Sequence, residues 1–447
     1  MRSFVLASMS ERLRFVLALI VVAVGAAFFA AAFRSSLGLI YQVFYDATQV
    51  VEAFQQLTPW MRLVVVALGA FVAGFIARLS SPVSQGVSNV MEAVALGNVR
   101  LSFRTTLRRV SCSWIAIATG MSIGREGPLI EFGGSLGATA ARLLGQPLLR
   151  VRILVAAGTA AGFAAAYNTP FAGVLFVLET IVGIVAMEAL LPTMVATLIA
   201  TAITRAIVGG GPIYGQRSFV ASSPVDLASF AVLGVVAAVA AFAFKHLLGS
   251  VERWMDAHPL RQPTRATLGG LCVGAIAMWV PEVAGNGYEP LNFLLDGQMM
   301  AKTVLVLVLA KAVATSSAVG SGIPGGVFTP MLLVGGATGT LWAHLLTLIG
   351  VGSQADPGSY ALVGMAATTA ASIHAPLTAA VLVFELSGDY PIVLPLILAT
   401  VVATALSRGL GGLSIYEAEL RRKGVHWTVS LDGRHIRESH QIPRPGS

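Results

Sequence analysis

Long stretches of this sequence contain no Asp, Glu, Lys or Arg. The longest examples are residues 15–33, 153–178, 312–355 and 357–384. An ionised side chain costs roughly 2.5–3.5 kcal/mol at the centre of a membrane helix, so charge is excluded where a helix faces lipid. Only 11% of all residues are charged, against about 25% in soluble domains. We therefore expect an all-α polytopic membrane protein surrounded by membrane lipid.

The apolar stretches differ in length. A helix needs about 20 apolar residues to span a bilayer. Residues 153–178 exceed that length, whereas residues 63–77 fall short of it. This mixture predicts that some helices are discontinuous and end inside the bilayer.

Basic residues flank the apolar part of the chain at both ends. Arg2, Arg12 and Arg14 precede the first apolar stretch. A second basic group follows the last stretch and consists of Arg408, Arg421, Arg422, Lys423, Arg434, Arg437 and Arg444. The positive-inside rule then predicts a multi-pass protein of the cell (inner) membrane with both termini in the cytoplasm. Because the net charge of +8 is placed at these membrane edges, we expect no nucleic-acid partner.

An internal repeat divides the sequence. The motif Gly124-Arg-Glu-Gly-Pro128 and the glycines after it recur in Gly326-Val-Phe-Thr-Pro330 and its following glycines, at one constant displacement. Residues 158–179 likewise match residues 364–385. The polar, glycine-rich stretch 208–226 separates the two copies. The pattern predicts a duplicated architecture, as in many transporters.

The repeat predicts three parts of the chain. A first membrane repeat is expected over residues 1–225 and a second over residues 226–424. Residues 425–447 are expected to form a short cytoplasmic tail.

Both motif copies have the form Gly-x-x-x-Pro directly before an apolar stretch. Proline suits the first turn of a helix, and glycine lets the backbone approach a ligand. A helix that begins inside the membrane directs unpaired N–H groups and its positive dipole end into a cavity. Each helix end contributes about 0.3–1 kcal/mol, so several together hold an anion and still release it. The motifs therefore predict the passage of a small anion.

These motifs resemble those of the CLC family of chloride channels and chloride/proton exchangers. The first motif is similar to the family's GREGP motif, the second to its GxFxP motif, and residues 414–417 to its last short helix. The motif-loop residues are Gly124, Arg125, Gly127, Pro128, Gly326 and Pro330. The resemblance covers roughly residues 10–424. It implies a homodimer of two independent pores, each subunit built from two inverted-topology repeats of tilted and discontinuous helices.

The resemblance also implies roles for individual residues. Glu126 corresponds to the family's external gating glutamate. The backbone amides of Val327 and Phe328 correspond to the pair that coordinates the anion, and the hydroxyl of Tyr416 corresponds to the donor to the central anion.

The first anion-binding loop departs from the family pattern. Residues 84–88 align with it, which places Gln85 and Gly86 at the anion. Gln85 stands where the family usually has an anion-binding serine, and Ser88 stands where it has proline. A glutamine amide also donates hydrogen bonds. We expect Gln85 either to bind the anion and change selectivity, or to pack the loop while backbone amides bind.

A second departure concerns protons. Thr180 stands where exchangers often place an internal glutamate, and a threonine carries no proton charge in this range. Its neighbour Glu179 is an alternative relay, or a structural residue like its repeat mate Glu385. Glu179 and Thr180 therefore mark the possible internal proton position. His374 and Glu131 are further titratable candidates.

The sequence favours an anion/proton exchanger gated by Glu126, which transports chloride or a related anion together with protons. A passive chloride channel, voltage- or pH-gated, is the alternative, and a fluoride- or nitrate-selective relative or an intramembrane enzyme is more remote. No enzyme activity is expected, because His-Glu-x-x-His, a nucleophile elbow and a Walker loop do not occur. Cys112 and Cys272 have no metal-binding spacing, so no metal or cofactor is expected.

Overall fold

The computed structural model describes residues 10–79, 86–96, 101–183, 187–211, 213–215, 224–351, 355–422, 424, 426–430 and 433–437. The part of the chain predicted to lie in the membrane is helical in these residues, which confirms the all-α class.

The first half of the chain contains helices of very different lengths. They are α1 (Glu11–Tyr45), α2 (Val50–Gln56), α3 (Pro59–Arg78), α4 (Gly86–Leu96), α5 (Phe103–Ala118), α6 (Glu126–Leu143), α7 (Leu148–Tyr167), α8 (Pro170–Phe176) and α9 (Met187–Val208). A π-helical segment, Val177–Val182, continues α8.

The second half has a similar mixture. Its helices are α10 (Pro224–Ala257), α11 (Gln262–Trp279), α12 (Tyr288–Leu295), α13 (Ala301–Gly320), α14 (Phe328–Leu348), α15 (Pro357–Ile373), α16 (Pro376–Ser387), α17 (Val393–Gly409) and α18 (Ile415–Arg422). A short 3₁₀ helix, Pro281–Val283, lies between α11 and α12.

Seven helical segments of the described chain are long and apolar enough to cross a membrane. They are Glu11–Gln56, Pro59–Arg78, Leu148–Tyr167, Met187–Val208, Pro224–Ala257, Ala301–Gly320 and Phe328–Leu348. Shorter apolar helices lie at Pro170–Val182, Pro376–Ser387 and Val393–Gly409. Long and short helices therefore coexist, as the unequal apolar stretches predict.

The breaks between consecutive helices fall at matched positions of the two halves. Asn168 ends α7 with a left-handed φ of 60°, and His374 ends α15 with a φ of 59°. Proline follows each break, because Pro170 and Pro376 begin the next helices. Proline cannot continue the preceding helix but suits the first turn of a new one. The same local chemistry thus interrupts the chain twice.

Glycines allow close packing at matched positions as well. A Cβ atom on Gly133 of α6 would overlap the carbonyl oxygen of Gly158 on α7. A Cβ atom on Gly335 of α14 would overlap the carbonyl oxygen of Gly364 on α15. Small residues at such crossings let helix backbones approach, which is how helices associate in lipid. Two equivalent helix pairs therefore hold the motif helices α6 and α14.

The C-terminal tail contains an antiparallel β-hairpin. Its strands are β1 (His426–Ser430) and β2 (Gly433–Arg437), with His426 opposite Arg437. The sequence analysis predicts a tail here but no strands, although Trp427 and Val429 alternate with polar residues along β1.

Candidate anion site

The two Gly-x-x-x-Pro loops lie against each other. The Gly124 N–H donates to the Gly326 carbonyl oxygen at 2.7 Å, and the Gly326 N–H donates to the Gly124 carbonyl oxygen at 2.9 Å. The helices that follow, α6 and α14, therefore begin side by side. Two helix N-termini, with their positive dipole ends, meet at one point inside the protein.

The Glu126 carboxylate occupies this meeting point. Its Oε1 atom accepts hydrogen bonds from the Phe328 N–H at 2.9 Å and from the Thr329 N–H at 3.3 Å. Its Oε2 atom accepts one from the Thr329 hydroxyl at 3.0 Å. Only 1% of Glu126 is exposed. The carboxylate oxygens thus stand where a small anion would accept the same hydrogen bonds.

The glycines of the loops make room for this carboxylate. A Cβ atom on Gly124 or on Gly326 would overlap the Glu126 carboxylate. A Cβ atom on Gly127 would lie 2.8 Å from the Gly326 amide nitrogen. Larger residues at these positions would therefore separate the loops or expel the carboxylate. Pro128 and Pro330 are buried in the first turns of α6 and α14.

The sequence analysis predicts the amides of Val327 and Phe328 as the anion-binding pair. The amides that contact the carboxylate are those of Phe328 and Thr329, while Val327 lines the adjacent cavity. The sequence analysis did not single out Thr329, whose N–H and hydroxyl both contact the Glu126 carboxylate. The signal in the sequence is that a polar residue, Thr329, stands directly before Pro330 in the second motif.

A cavity of about 570 Å³ opens beside Glu126. Gly86, Gly127, Gly326, Val327 and Tyr416 contribute to its wall. Its charged lining residues, among those the structure describes, are Glu126, Lys245, Glu252, Arg253, Glu419, Arg421 and Arg422. Basic groups outnumber acidic ones in that set, which raises the local concentration of anions.

Tyr416 and the first loop reach the same cavity. The Tyr416 ring is buried and meets the Phe176 ring edge to face, with 6.4 Å between the centroids. The Tyr416 hydroxyl has no hydrogen-bond partner among the described residues. Gly86 adopts a φ of 41° and lines the cavity. Gln85 lies outside the described residues. Ser88 donates to Glu419 at 2.6 Å.

Glu179 lies at the start of a short helix from the other repeat. Its carboxylate accepts hydrogen bonds from the Leu377 N–H at 3.2 Å, the Thr378 N–H at 2.7 Å and the Thr378 hydroxyl at 2.6 Å. Its repeat mate Glu385 accepts from the Phe171 and Ala172 N–H groups at the start of α8. Each glutamate caps the short helix of the opposite repeat.

This exchange of caps favours the structural interpretation of Glu179. Thr180 is buried, and neither residue is among the described residues that line the cavity. Glu179 and Thr180 therefore do not contribute to the wall of the cavity beside Glu126.

The remaining titratable candidates have other partners. Glu131 forms an ion pair with Arg109 at 2.8 Å, and both side chains are buried. His374 places its Nε2 atom 3.2 Å from the Ser407 hydroxyl, and Arg408 donates to the His374 carbonyl oxygen at 2.8 Å. Glu131 therefore pairs with Arg109 and not with Glu126. His374 contacts Ser407 and Arg408 at the break between α15 and α16. Arg125, half-buried, precedes α6.

A helical, multi-pass protein in which two helix N-termini converge on a buried carboxylate beside a basic cavity belongs to the class of membrane transport proteins for small anions. Residues 68–408 match the family described as voltage gated chloride channel, and the chain belongs to this family, the CLC family. Its members are transporters or channels, so the chain is not an enzyme.

Similar proteins extend over nearly the whole chain. A ClcB-like protein of Ralstonia nicotianae is 36% identical over 401 residues, which cover 88% of this chain and 93% of that protein. The voltage-gated ClC-type chloride channel ClcB of Escherichia coli O9:H4 is 31% identical over 406 residues, covering 89% and 96%.

Solved structures show the same fold. A slow cyanobacterial Cl⁻/H⁺ antiporter superposes with a TM-score of 0.83 at 26% identity, covering 92% of this chain and 98% of its own. A CLC-type fluoride/proton antiporter superposes with a TM-score of 0.71 at 20% identity, a likeness of fold alone. The family and the fold predicted from the motifs are confirmed.

Proposed function

We propose that this protein exchanges chloride for protons, with Glu126 as the gate. The observation that supports this proposal is the position of the Glu126 carboxylate on the N–H groups of Phe328 and Thr329. While the Glu126 carboxylate is charged, it occupies these N–H groups and prevents a chloride ion from binding to them.

Protonation removes the block. A hydrogen bond to a charged group contributes about 1.5–3 kcal/mol, against about 0.5–1.5 kcal/mol for a neutral pair. A protonated Glu126 therefore competes less well for the amides at the start of α14, and chloride takes them. The proton that opens the path travels on the Glu126 side chain, so chloride and proton exchange places in one site.

The comparisons support both this mechanism and one alternative. The cyanobacterial structure is named a Cl⁻/H⁺ antiporter. The Escherichia coli relative is named a chloride channel, and Thr180 replaces the internal glutamate of many exchangers. The second candidate function is therefore a passive chloride channel in which Glu126 gates without moving protons.

Reconstitution into liposomes separates the two functions. We would load vesicles with potassium chloride, clamp the voltage with valinomycin, and record chloride efflux together with external pH. An exchanger drives protons into the vesicles as chloride leaves, whereas a channel releases chloride alone.

Variants of Glu126 test the gate in the same assay. Glu126→Gln removes the titratable charge and is expected to pass chloride at a rate independent of pH, without proton movement. Glu188 is exposed at the start of α9 and provides the control Glu188→Gln, which should retain the parent's behaviour. A Glu126→Gln protein that keeps the parent's pH response and proton flux would refute the gate.

The proposal includes a homodimer in the cell membrane with both termini in the cytoplasm. An apolar groove of about 480 Å³ lies between α8, α9, α16 and α17, and is lined by residues that include Phe171, Leu190, Val381 and Tyr390. If a second copy of the chain covered this groove, its large apolar side chains would pack against protein and no longer contact lipid. Val381→Trp should then reduce the dimer fraction on size exclusion in detergent, and an unchanged dimer would place the interface elsewhere.

A further inference from the structure

The Thr329 hydroxyl lies between two buried groups. Its Oγ1 atom is 3.0 Å from the Glu126 Oε2 atom and 2.8 Å from the Tyr167 hydroxyl. The exposed fractions are 1% for Glu126, 2% for Thr329 and 4% for Tyr167. The three polar groups therefore form a continuous, buried chain of hydrogen bonds.

The direction of this chain follows from counting hydrogens. While the Glu126 carboxylate is ionised it has no hydrogen to donate, so the Thr329 hydroxyl then donates its only hydrogen to Glu126. The bond between the two hydroxyls then uses the phenolic hydrogen of Tyr167, with Thr329 as acceptor. Tyr167 thus turns the Thr329 hydrogen towards the position that the carboxylate occupies.

Packing holds Tyr167 in this orientation. Its ring lies 5.0 Å from the Phe163 ring and 5.7 Å from the Phe328 ring, between centroids. It is the last residue of α7, and the next residue, Asn168, is held by Arg205 through a side-chain hydrogen bond of 2.8 Å. The phenol is therefore fixed from both the ring and the backbone.

We propose that the Thr329 hydroxyl is a direct ligand of the transported anion, and that Tyr167 is the residue that positions it. This inference rests on the proposed function, because it assigns the anion to the place vacated by the Glu126 carboxylate. An anion at this position accepts hydrogen bonds from the N–H groups of Phe328 and Thr329 and also from the oriented hydroxyl of Thr329. The site is then partly made by a side chain rather than by backbone dipoles alone.

Binding of chloride to the full-length protein in detergent tests the inference. Calorimetric titration with potassium chloride would use a Glu126→Ala background, in which no carboxylate competes for the site. Thr329→Val removes the hydroxyl at nearly constant volume and is expected to weaken chloride binding at least tenfold. Thr329→Ser retains the hydroxyl and should restore binding to within about twofold. Tyr167→Phe leaves the hydroxyl present but without its orienting partner, and a loss of about threefold is expected.

A matched control comes from the same helix. Thr340 is fully buried in α14, and its hydroxyl donates to the Gly336 carbonyl oxygen. Thr340→Val should leave chloride affinity unchanged. If Thr329→Val binds like the background, or Thr329→Ser is as weak as Thr329→Val, the hydroxyl is not a ligand. If Tyr167→Phe is unaltered while Thr329→Val is weak, Tyr167 has no positioning role.

Crystals of the Glu126→Ala variant soaked in bromide give a second measurement. An anomalous peak is expected within hydrogen-bond distance of the Thr329 Oγ1 atom, and its loss in the Thr329→Val variant is expected as well. A peak away from Thr329 would overturn the assignment. The proposed function is tested separately by the liposome assay. If Glu126 is not the gate, chloride efflux through the Glu126→Gln variant keeps the parent's pH dependence, whatever the result at Thr329.

Discussion

Glu179 and Glu385 each cap a short helix of the opposite repeat. This arrangement predicts that Glu179 stabilises the fold and does not carry protons. Glu179 accepts three hydrogen bonds at the start of α16, two of them from Thr378. Glu179→Ala removes all three and leaves the donors without their acceptor. Loss of a helix cap costs about 0.5–2 kcal/mol, and an unsatisfied buried donor costs about 1–3 kcal/mol. We expect the free energy of unfolding to fall by about 2–4 kcal/mol.

Glu179→Gln separates the structural role from the relay role. The amide oxygen can still accept the two bonds from Thr378, so only the bond from the Leu377 N–H is lost. That loss is expected to cost about 1–2 kcal/mol. Because a glutamine cannot titrate, any proton relay through this position would be abolished completely. The structural interpretation therefore predicts a small loss of stability together with unchanged proton coupling.

Two assays measure these effects on one preparation. Denaturant unfolding of the detergent-solubilised protein can be followed by the fluorescence of its six tryptophans, and coupling by simultaneous chloride and proton flux in liposomes. Glu385→Gln should behave like Glu179→Gln, because Glu385 caps α8 in the same way. The exposed Glu188 again supplies the control substitution. Wild-type stability combined with lost proton coupling in Glu179→Gln would refute the structural interpretation and identify a relay.

Three further predictions concern the site and its packing. Tyr416→Ala should weaken chloride binding about tenfold without unfolding the protein, and unchanged affinity by calorimetry would place the phenol outside the path. Gln85→Ser should shift the relative permeabilities of chloride, nitrate and fluoride, and identical ratios would contradict an anion-facing amide. Gly335→Ala should lower the free energy of unfolding by about 1–3 kcal/mol, because its Cβ would overlap the Gly364 carbonyl oxygen. Gly409→Ala, with open space around its Cβ position, is the control, and equal effects of the two substitutions would refute the packing argument.

Local rules of the sequence determined the class of the protein and the position of the proposed gate, Glu126. Charge-free stretches predict membrane helices because lipid excludes ionised groups, and the structure has helices over them. The Gly-x-x-x-Pro motifs predict helix starts suited to an anion, because proline and glycine act on the backbone within a few residues. Both motif loops begin a helix, and Glu126 lies where they meet.

Tertiary structure alone decided which partners these residues have. The chain from Tyr167 through Thr329 to Glu126, the caps at Glu179 and Glu385, and the Glu131 ion pair join residues that no periodicity relates. The hydrogen bond between Tyr167 and Thr329 connects residues 162 positions apart, on helices brought together by the packing of the two repeats. A hydroxyl becomes an anion ligand only when that packing buries it and turns its hydrogen towards the site, and spacing along the chain specifies neither.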